Sequence, residues 1–374
     1  MSQASFENSR NKVNEFCIAR LREALNPATG LFDRQLRDGK WDATIGTEDL
    51  TSTAICLIGI NRRGDATAVG LDPVRTCAAL FQVSRRRMYT GGAGLVLWAN
   101  AVWNGIPYPE AMRAIGLGSA EPGVLPRSLT TMEVAWLVSG LIHEVRRSQD
   151  AGARAFLEGA LAELKRRFRS GASLVDHCSS AAPAAERLRL WIPNFADQVY
   201  SLQAFSFAAR EGFGAECLAS AAAIGARIVA LQGDAGQWWW HYDTRSGGVA
   251  QPYPVYAVHQ HGMAPMALQA LAASGGPLHD EAIRRSKAWL TDNELGAVLI
   301  DEKAGTIWRD IEYAGGRFSS LVRQARSVLG IPEGRGAGTA RALHVNFETR
   351  PYEWAWCLYA AAIESGKAGS AHVV

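Results

Sequence analysis

The chain has almost no excess of charge of either sign: 39 lysines and arginines face 36 aspartates and glutamates, for a formal net charge of +3 with histidine neutral. A nucleic-acid binder would carry a basic stripe interleaved with stacking aromatics, and no such stripe is present. The densest basic run, Arg85–Arg87, closes an amphipathic segment and reads as a solvated helix end. The six cysteines, Cys17, Cys56, Cys77, Cys178, Cys217 and Cys357, form no CxxC pair. Most fall inside apolar helical patterns, so reduced core thiols are expected instead of a disulfide framework. No apolar run approaches membrane-spanning length, and Met1–Lys12 is polar, without the apolar stretch of a signal peptide; a cytoplasmic location is the default expectation. The glycine-rich run Gly334–Gly338, with Arg335, follows no strand and has no GKS or GKT ending, which argues against a phosphate loop.

What the chain has is apolar residues in quantity, 48% hydrophobic against 20% charged, enough to bury a large core. Its 374 residues exceed a usual single core, yet closed barrels and toroids reach this length, so one domain over 1–374 is expected. Six segments are apolar or small on nearly every side: Leu50–Ile60, Gly91–Val102, Met132–Ile142, Phe195–Ala209, Met263–Ala273 and Tyr352–Ile363. A helix that is apolar all round must be buried all round. Between them lie one-sided helices with a solvent face, Asn8–Ala24, Pro73–Arg85, Ala151–Arg169, Ala215–Ala230 and His279–Thr291. This alternation predicts an all-α chain of six helical hairpins, an inner ring wrapped by an outer ring, that is, an (α/α)6 toroid. The last hairpin carries an insertion with a further helix expected at Gly316–Leu329. Rim β-hairpins are expected where Trp238–Asp243 and Val249–Val255 flank Thr244–Gly248, and where Val298–Asp301 and Thr306–Ile311 flank Glu302–Gly305. An open helical solenoid is the competing architecture, but neither terminus looks like a polar cap.

Gln35, Gly39 and Trp41 share their spacing with Gln232, Gly236 and Trp238, each set just before a rim segment. The glycine permits a sharp turn and the tryptophan covers a helix end. This spacing resembles the QW repeat of terpenoid cyclases, which are α/α toroids. Their DxDD acid motif is absent, so the resemblance implies the architecture only. The same toroid houses six-hairpin glycosidases, polysaccharide lyases and sugar epimerases. The stretch Gly236–Leu271 is similar to a segment of uncharacterised bacterial proteins expected near surface-polysaccharide genes.

In such a toroid the first turns of the inner helices face one end of the central cavity, where polar groups converge. Those turns contribute Glu48 and Asp49, Tyr89 and Thr90, Thr130 and Glu133, Asn194, Asp197 and Gln198, His259 and His261, and Tyr352 and Glu353. Glycoside hydrolysis needs one protonated carboxyl to donate to the leaving oxygen and another to activate water or attack the sugar. Asp49, Glu133, Asp197 and Glu353 are the candidate acids, joined by His259 and His261. Thr130 with Glu133 and Asn194 with Asp197 equally fit capping boxes, and Glu48 with Asp49 fits a helix dipole. His259 and His261 lack the i, i+4 spacing of a helical metalloprotease, so substrate hydrogen bonding or proton transfer is expected ahead of a zinc site, with structural rim histidines as the competing reading; no metal and no cofactor are expected.

The expected substrate-binding residues are Trp41, Trp238, Trp240, Tyr242, Gln198, Gln260, Arg350 and Tyr352. On a strand Trp238, Trp240 and Tyr242 share one face, fit either to stack on sugar rings or to seal the rim. Arg350, and the polar cluster Arg309, Asp310, Glu312 and Tyr313, suit an acidic sugar, although ion pairing alone also accounts for Arg309. The expected function is a carbohydrate-active enzyme, a hydrolase or lyase, on a bacterial polysaccharide or oligosaccharide. A terpenoid cyclase-like enzyme with an aromatic cavity, or a non-catalytic toroid that binds sugar or a partner in polysaccharide synthesis, are the alternatives. Oligomeric state leaves no trace in the sequence.

Overall fold

A computed structural model describes residues 3–37, 40–42, 47–87, 91–121, 124–314 and 342–364, with the side chains of 3–12, 47–49 and 87 outside that description. Gly39, Tyr89, Thr90, the side chains of Glu48 and Asp49, the helix expected at Gly316–Leu329 and the run Gly334–Gly338 therefore lie outside the described residues.

Among the described residues, six long buried helices follow the six all-apolar segments: α2 (Thr47–Arg63), α4 (Ala93–Val102), α6 (Thr131–Ser148), α8 (Phe195–Arg210), α10 (Ala264–Ala273) and α12 (Pro351–Glu364). Each is preceded by a more exposed partner: α1 (Gln3–Ala24), α3 (Pro73–Arg87), α5 (Tyr108–Ala114), α7 (Ala151–Arg167), α9 (Ala215–Ala230) and α11 (Asp280–Ala288). The even-numbered helices touch in sequence, α2 to α4 to α6 to α8 to α10 to α12, and α12 packs back on α2. The ring is closed, which sets aside the open solenoid.

Glycines set how tightly the ring closes. A Cβ on Gly94 would stand 2.1 Å from the Leu137 backbone nitrogen, and one on Gly140 would stand 2.1 Å from the Gly94 carbonyl oxygen. The α4 and α6 backbones touch there, and any side chain would wedge the ring apart. Gly94→Ala is expected to cost about 1–3 kcal/mol, the range for overpacking a filled core. A urea melt would show it as a lower midpoint; an unchanged midpoint would mean that the ring tolerates wider spacing.

The middle of the ring is filled with aromatics. Trp98 of α4 stands edge-on to Phe207 of α8 at 5.8 Å and lies 6.0 Å from Trp356 of α12. Trp136 of α6 meets Tyr200 of α8 at 5.3 Å, and Tyr200 lies 6.1 Å from Trp356. α4 is not a neighbour of α8 or α12 in the order of the ring, so the side chains that join them reach across its axis. Trp98, Trp136, Tyr200 and Trp356 each stand at the sixth position of their helices, so they close the axis at one depth. On one side of these rings lie the first turns of the inner helices, and that end of the ring is the bowl.

Short antiparallel strands build the rim of that bowl. Gln35–Arg37 pairs with Lys40–Asp42 and with Glu348–Thr349. Asp310–Tyr313 pairs with Leu343–Asn346 and with Val255–Tyr256, placing Asp310 opposite both Asn346 and Tyr256. The hairpins expected from sequence form, but shorter: His241–Asp243 with Gly248–Gln251, and Ile300–Asp301 with Thr306–Ile307. Trp238–Trp240 stays outside the strand because the Trp238 backbone N–H turns to the Gln260 side chain and its ring stacks on Phe195 at 5.8 Å. Gly236 makes the preceding turn at φ +99°, where a Cβ would fall 2.4 Å from the Arg285 carbonyl oxygen. The helix expected to run to Arg169 ends at Arg167, and Phe168–Arg169 pairs instead with Leu174–Val175.

Candidate active site

The bowl is lined by first turns, and two of them are closed by capping boxes. Thr130 Oγ1 accepts from the Glu133 N–H at 3.4 Å, and Glu133 Oε2 accepts from the Thr130 N–H at 2.8 Å. Burial pushes the Glu133 carboxyl up from its ordinary value, against the two Thr130 hydrogen bonds. Asn194 Oδ1 accepts from the Asp197 N–H at 2.8 Å, and Asp197 Oδ2 returns the contact to the Asn194 N–H at 2.9 Å. Asp197 also accepts from the Met132 N–H at 2.9 Å and stands 2.8 Å from His177 Nδ1. It is fully buried, so this carboxylate ties the start of α8 to the start of α6.

The next turn is different. Pro265 has no N–H to offer the His261 carbonyl, and His259–Met263 opens into a π-helical turn. As on any helix, the two histidines diverge. His261 Nε2 stands 3.2 Å from Glu353 Oε1 in the first turn of α12, both side chains buried. Burial pushes Glu353 up to about 7, against the hydrogen bond from His261. Burial alone would push His261 down, but the Cys357 sulfur and the Glu353 carboxylate beside it hold its value up at about 9. His259 instead enters an aromatic cage, 4.7 Å from the Phe195 ring, 5.1 Å from Tyr256 and 6.0 Å from Trp240. Burial pushes it down to about 3, so it is neutral at physiological pH, and its Nδ1 has no hydrogen-bond partner among the described residues.

The strand Asp310–Tyr313 brings a second carboxyl to this place. Asp310 is 2% exposed, its Oδ1 has no hydrogen-bond partner among the described residues, and its Oδ2 lies 3.4 Å from both Arg309 Nε and Asn346 Nδ2. Burial pushes it up to about 7, Arg309 pulls against that, and the Glu312 and Glu353 charges add to the rise. The Arg309 guanidinium lies 5.2 Å over the Tyr256 ring. Arg309, Arg37 and Arg350 all converge on the buried Glu348 carboxylate. Burial opposes its charge, but Arg309 and Arg350, with Arg37, hold it down at about 2. Three arginines thus share one buried carboxylate on this side of the bowl.

Of the residues singled out in the sequence, His259, His261, Glu353 and Trp240 meet here, and Arg350 stands beside Glu348. Tyr352 is half-buried near Arg309. Trp238 and Tyr242 are fully buried against Phe195 and seal the rim. Gln198 is spent on both backbone groups of Val175, and Gln260 on the Trp238 N–H and the Tyr256 carbonyl. Trp41 stands edge-on to Trp354 at 5.8 Å. Asp310 was visible in the sequence only as a member of a polar cluster. Its alternation with Ile311 marks a strand, but the pairing that holds it beside the His259 segment joins distant segments.

The pair sets a pH dependence with a definite sign. Glu353 and Asp310 are both raised in the folded state, so the native chain holds their protons more tightly than the unfolded chain does. Their contribution is fully present below the unfolded carboxylate range near pH 4 and is lost as pH rises through about 7. His261 adds loss between its ordinary value and about 9. Melting temperature should therefore fall from pH 5 to pH 8, and Glu353→Gln, which mimics the protonated acid, should flatten the fall. Parallel curves for the two proteins would show that Glu353 titrates normally.

No family model and no curated protein matches the chain. Among solved structures, the unsaturated glucuronyl hydrolase of Bacillus sp. GL1, responsible for the degradation of glycosaminoglycan, aligns with a TM-score of 0.63 at 13% identity over 96% of this chain and 98% of that one. An unsaturated glucuronyl hydrolase specific for heparin aligns at 0.61 and 13% identity over 98% of each chain. A sugar epimerase from a ruminal bacterium aligns at 0.61 and 10% identity over 96% of this chain and 98% of that one. Identity this low speaks to the fold alone, and the closed inner ring, its outer partners and these end-to-end alignments agree that the chain is an α/α toroid.

Proposed function

We propose that the chain cleaves a glycosidic bond in an acidic oligosaccharide by acid–base catalysis, with Glu353 as proton donor and Asp310 as the second carboxyl. The observation that carries this reading is a pair of buried carboxyls, both pushed up to about 7 and near enough that the Glu353 charge adds to the rise of Asp310. At neutral pH such a pair holds about one proton between its members, the state in which one carboxyl donates and the other activates water. His261, hydrogen-bonded to Glu353, orients that carboxyl and buffers its proton. The orphaned Asp310 Oδ1 has a free lone pair for a water or sugar hydroxyl. Arg37, Arg309 and Arg350 suit a carboxylate or sulfate on the sugar. The glucuronyl hydrolases that share the fold act on acidic sugars by their names, which supports the same class here.

The epimerase likeness favours a second reading, proton removal from a sugar carbon. His259, at about 3, is too weak a base for that step, which leaves Glu353 or His261 to perform it. The aromatic plug counts against an isoprenoid cyclase, because it occupies the depth that a folded hydrocarbon chain would need. Incubation with uronate-terminated and neutral oligosaccharides, followed by mass spectrometry, separates the readings. Hydrolysis cleaves the chain and takes one oxygen from 18O-water; epimerisation leaves the chain whole and takes deuterium from D2O. Binding without either change would support the non-catalytic toroid.

A further inference from the structure

We propose that a groove beside the bowl is a second saccharide subsite, which receives sugar rings beyond the bond that is cleaved, so that the natural substrate is a chain of several sugars. The inference rests on the glycan reading above and adds the length of the substrate to it. The groove runs between the C-terminal end of α1, the strand Lys40–Asp42 and the hairpin Ile300–Ile307, and encloses about 800 Å3. That volume falls within the range of small-molecule sites, roughly 300–1,000 Å3.

Its walls have the chemistry of a pyranose, which shows C–H groups on its faces and hydroxyls at its edges. Trp41, Trp308 and Phe347 supply aromatic surface. Phe347 is 62% exposed, an unusual place for so large an apolar ring, and stands edge-on to Trp308 at 5.2 Å. The Trp308 indole is fixed by its Nε1–H donating to Asp301 at 3.3 Å, so it is a preformed platform. Polar partners stand beside the rings. Arg20 is pinned by the Ala304 and Gly305 carbonyls and pairs with Glu23, both lining the groove. Thr306, also in the wall, is 1% exposed, and its Oγ1 has no hydrogen-bond partner among the described residues. A ligand hydroxyl would satisfy it.

The groove wall packs against the segments that carry the acid pair. Trp41 stands edge-on to Trp354, the residue after Glu353, and Leu36 in the groove wall pairs with Thr349, the residue before Arg350.

Intrinsic tryptophan fluorescence, titrated with di- and tetrasaccharides of glucose, of mannose and of a glucuronate–hexosamine repeat, tests this without requiring turnover. At least one tetrasaccharide should bind more tightly than its disaccharide. Phe347→Ala should weaken the tetrasaccharide about three- to ten-fold, the worth of one aromatic contact. Thr306→Val should weaken it several-fold without lowering the melting temperature, a combination that a purely structural hydroxyl would not give. Glu353→Gln should bind it like the wild type while losing turnover, so failure of the catalytic reading and failure of the groove are told apart. Equal binding by wild type, Phe347→Ala and Thr306→Val overturns the proposal, as does quenching by none of the sugars. Self-association lost in Phe347→Ala would assign the surface to a second copy of the chain, and overturns it too.

Discussion

Glu353→Gln should lower kcat on a cleavable oligosaccharide by about a hundred- to ten-thousand-fold, the usual worth of a general acid, while KM changes little. Glutamine has the same shape and fills the same buried place beside His261, so folding should survive. It has no proton to give at any pH. In the wild type the rate should decline on the alkaline side as Glu353 ionises near 7, while His261 stays charged to about 9. Asp310→Asn should act in the same direction, and the double variant should lose little more than either alone, because the two carboxyls serve one step. Steady-state kinetics from pH 5 to pH 9 on a uronate-terminated oligosaccharide would measure all of this. Normal turnover in Glu353→Gln would take the proton donor away from α12 and remove the mechanism proposed here.

Asp197→Asn should do its harm to stability, by about 2–4 kcal/mol, seen as a fall of several degrees in melting temperature. The carboxylate accepts from the Asn194 and Met132 backbone N–H groups and faces His177 Nδ1, all within 2.9 Å. An amide can turn only one oxygen toward these groups, and its NH2 must then face a buried donor. Glu133→Gln breaks only the reciprocal half of one capping box and should cost about 1 kcal/mol. Unchanged melting together with lost turnover would move Asp197 from the helix caps into the reaction. Both measurements belong on one set of purified variants, since Glu353 and Asp197 occupy the same level of the bowl on different inner helices.

Residue type alone does not separate these two acids. Asp197 stands three residues after Asn194, and that local spacing already marks a capping box. Glu353 has no such partner before it in the chain, and its neighbour His261 comes from another helix. The aromatics divide in the same way. Trp238, Trp240 and Tyr242 alternate as a strand would, yet the strand starts only at His241, and the rings part company: Trp238 and Tyr242 go to Phe195, Trp240 to the cage around His259. Alternation states which side chains share a face of a strand, but not whether the backbone is one.

The amino-acid sequence by itself determined the ring. Six segments apolar on every side can be buried only if each is surrounded, and the five one-sided partners between them can do that only from outside; the sixth partner, Tyr108–Ala114, is too short to show such a pattern. Periodicity is a local property, so it is legible along the chain. Tertiary structure alone decided the site. The Asp310 strand is held beside the His259 segment by pairing with Val255–Tyr256, and Glu348 is placed among three arginines by pairing with Gln35–Arg37. The raised values of Glu353 and Asp310 come from burial by segments far away in the chain. Desolvation and charge act through space, and only the closed ring brings those segments within reach of one another.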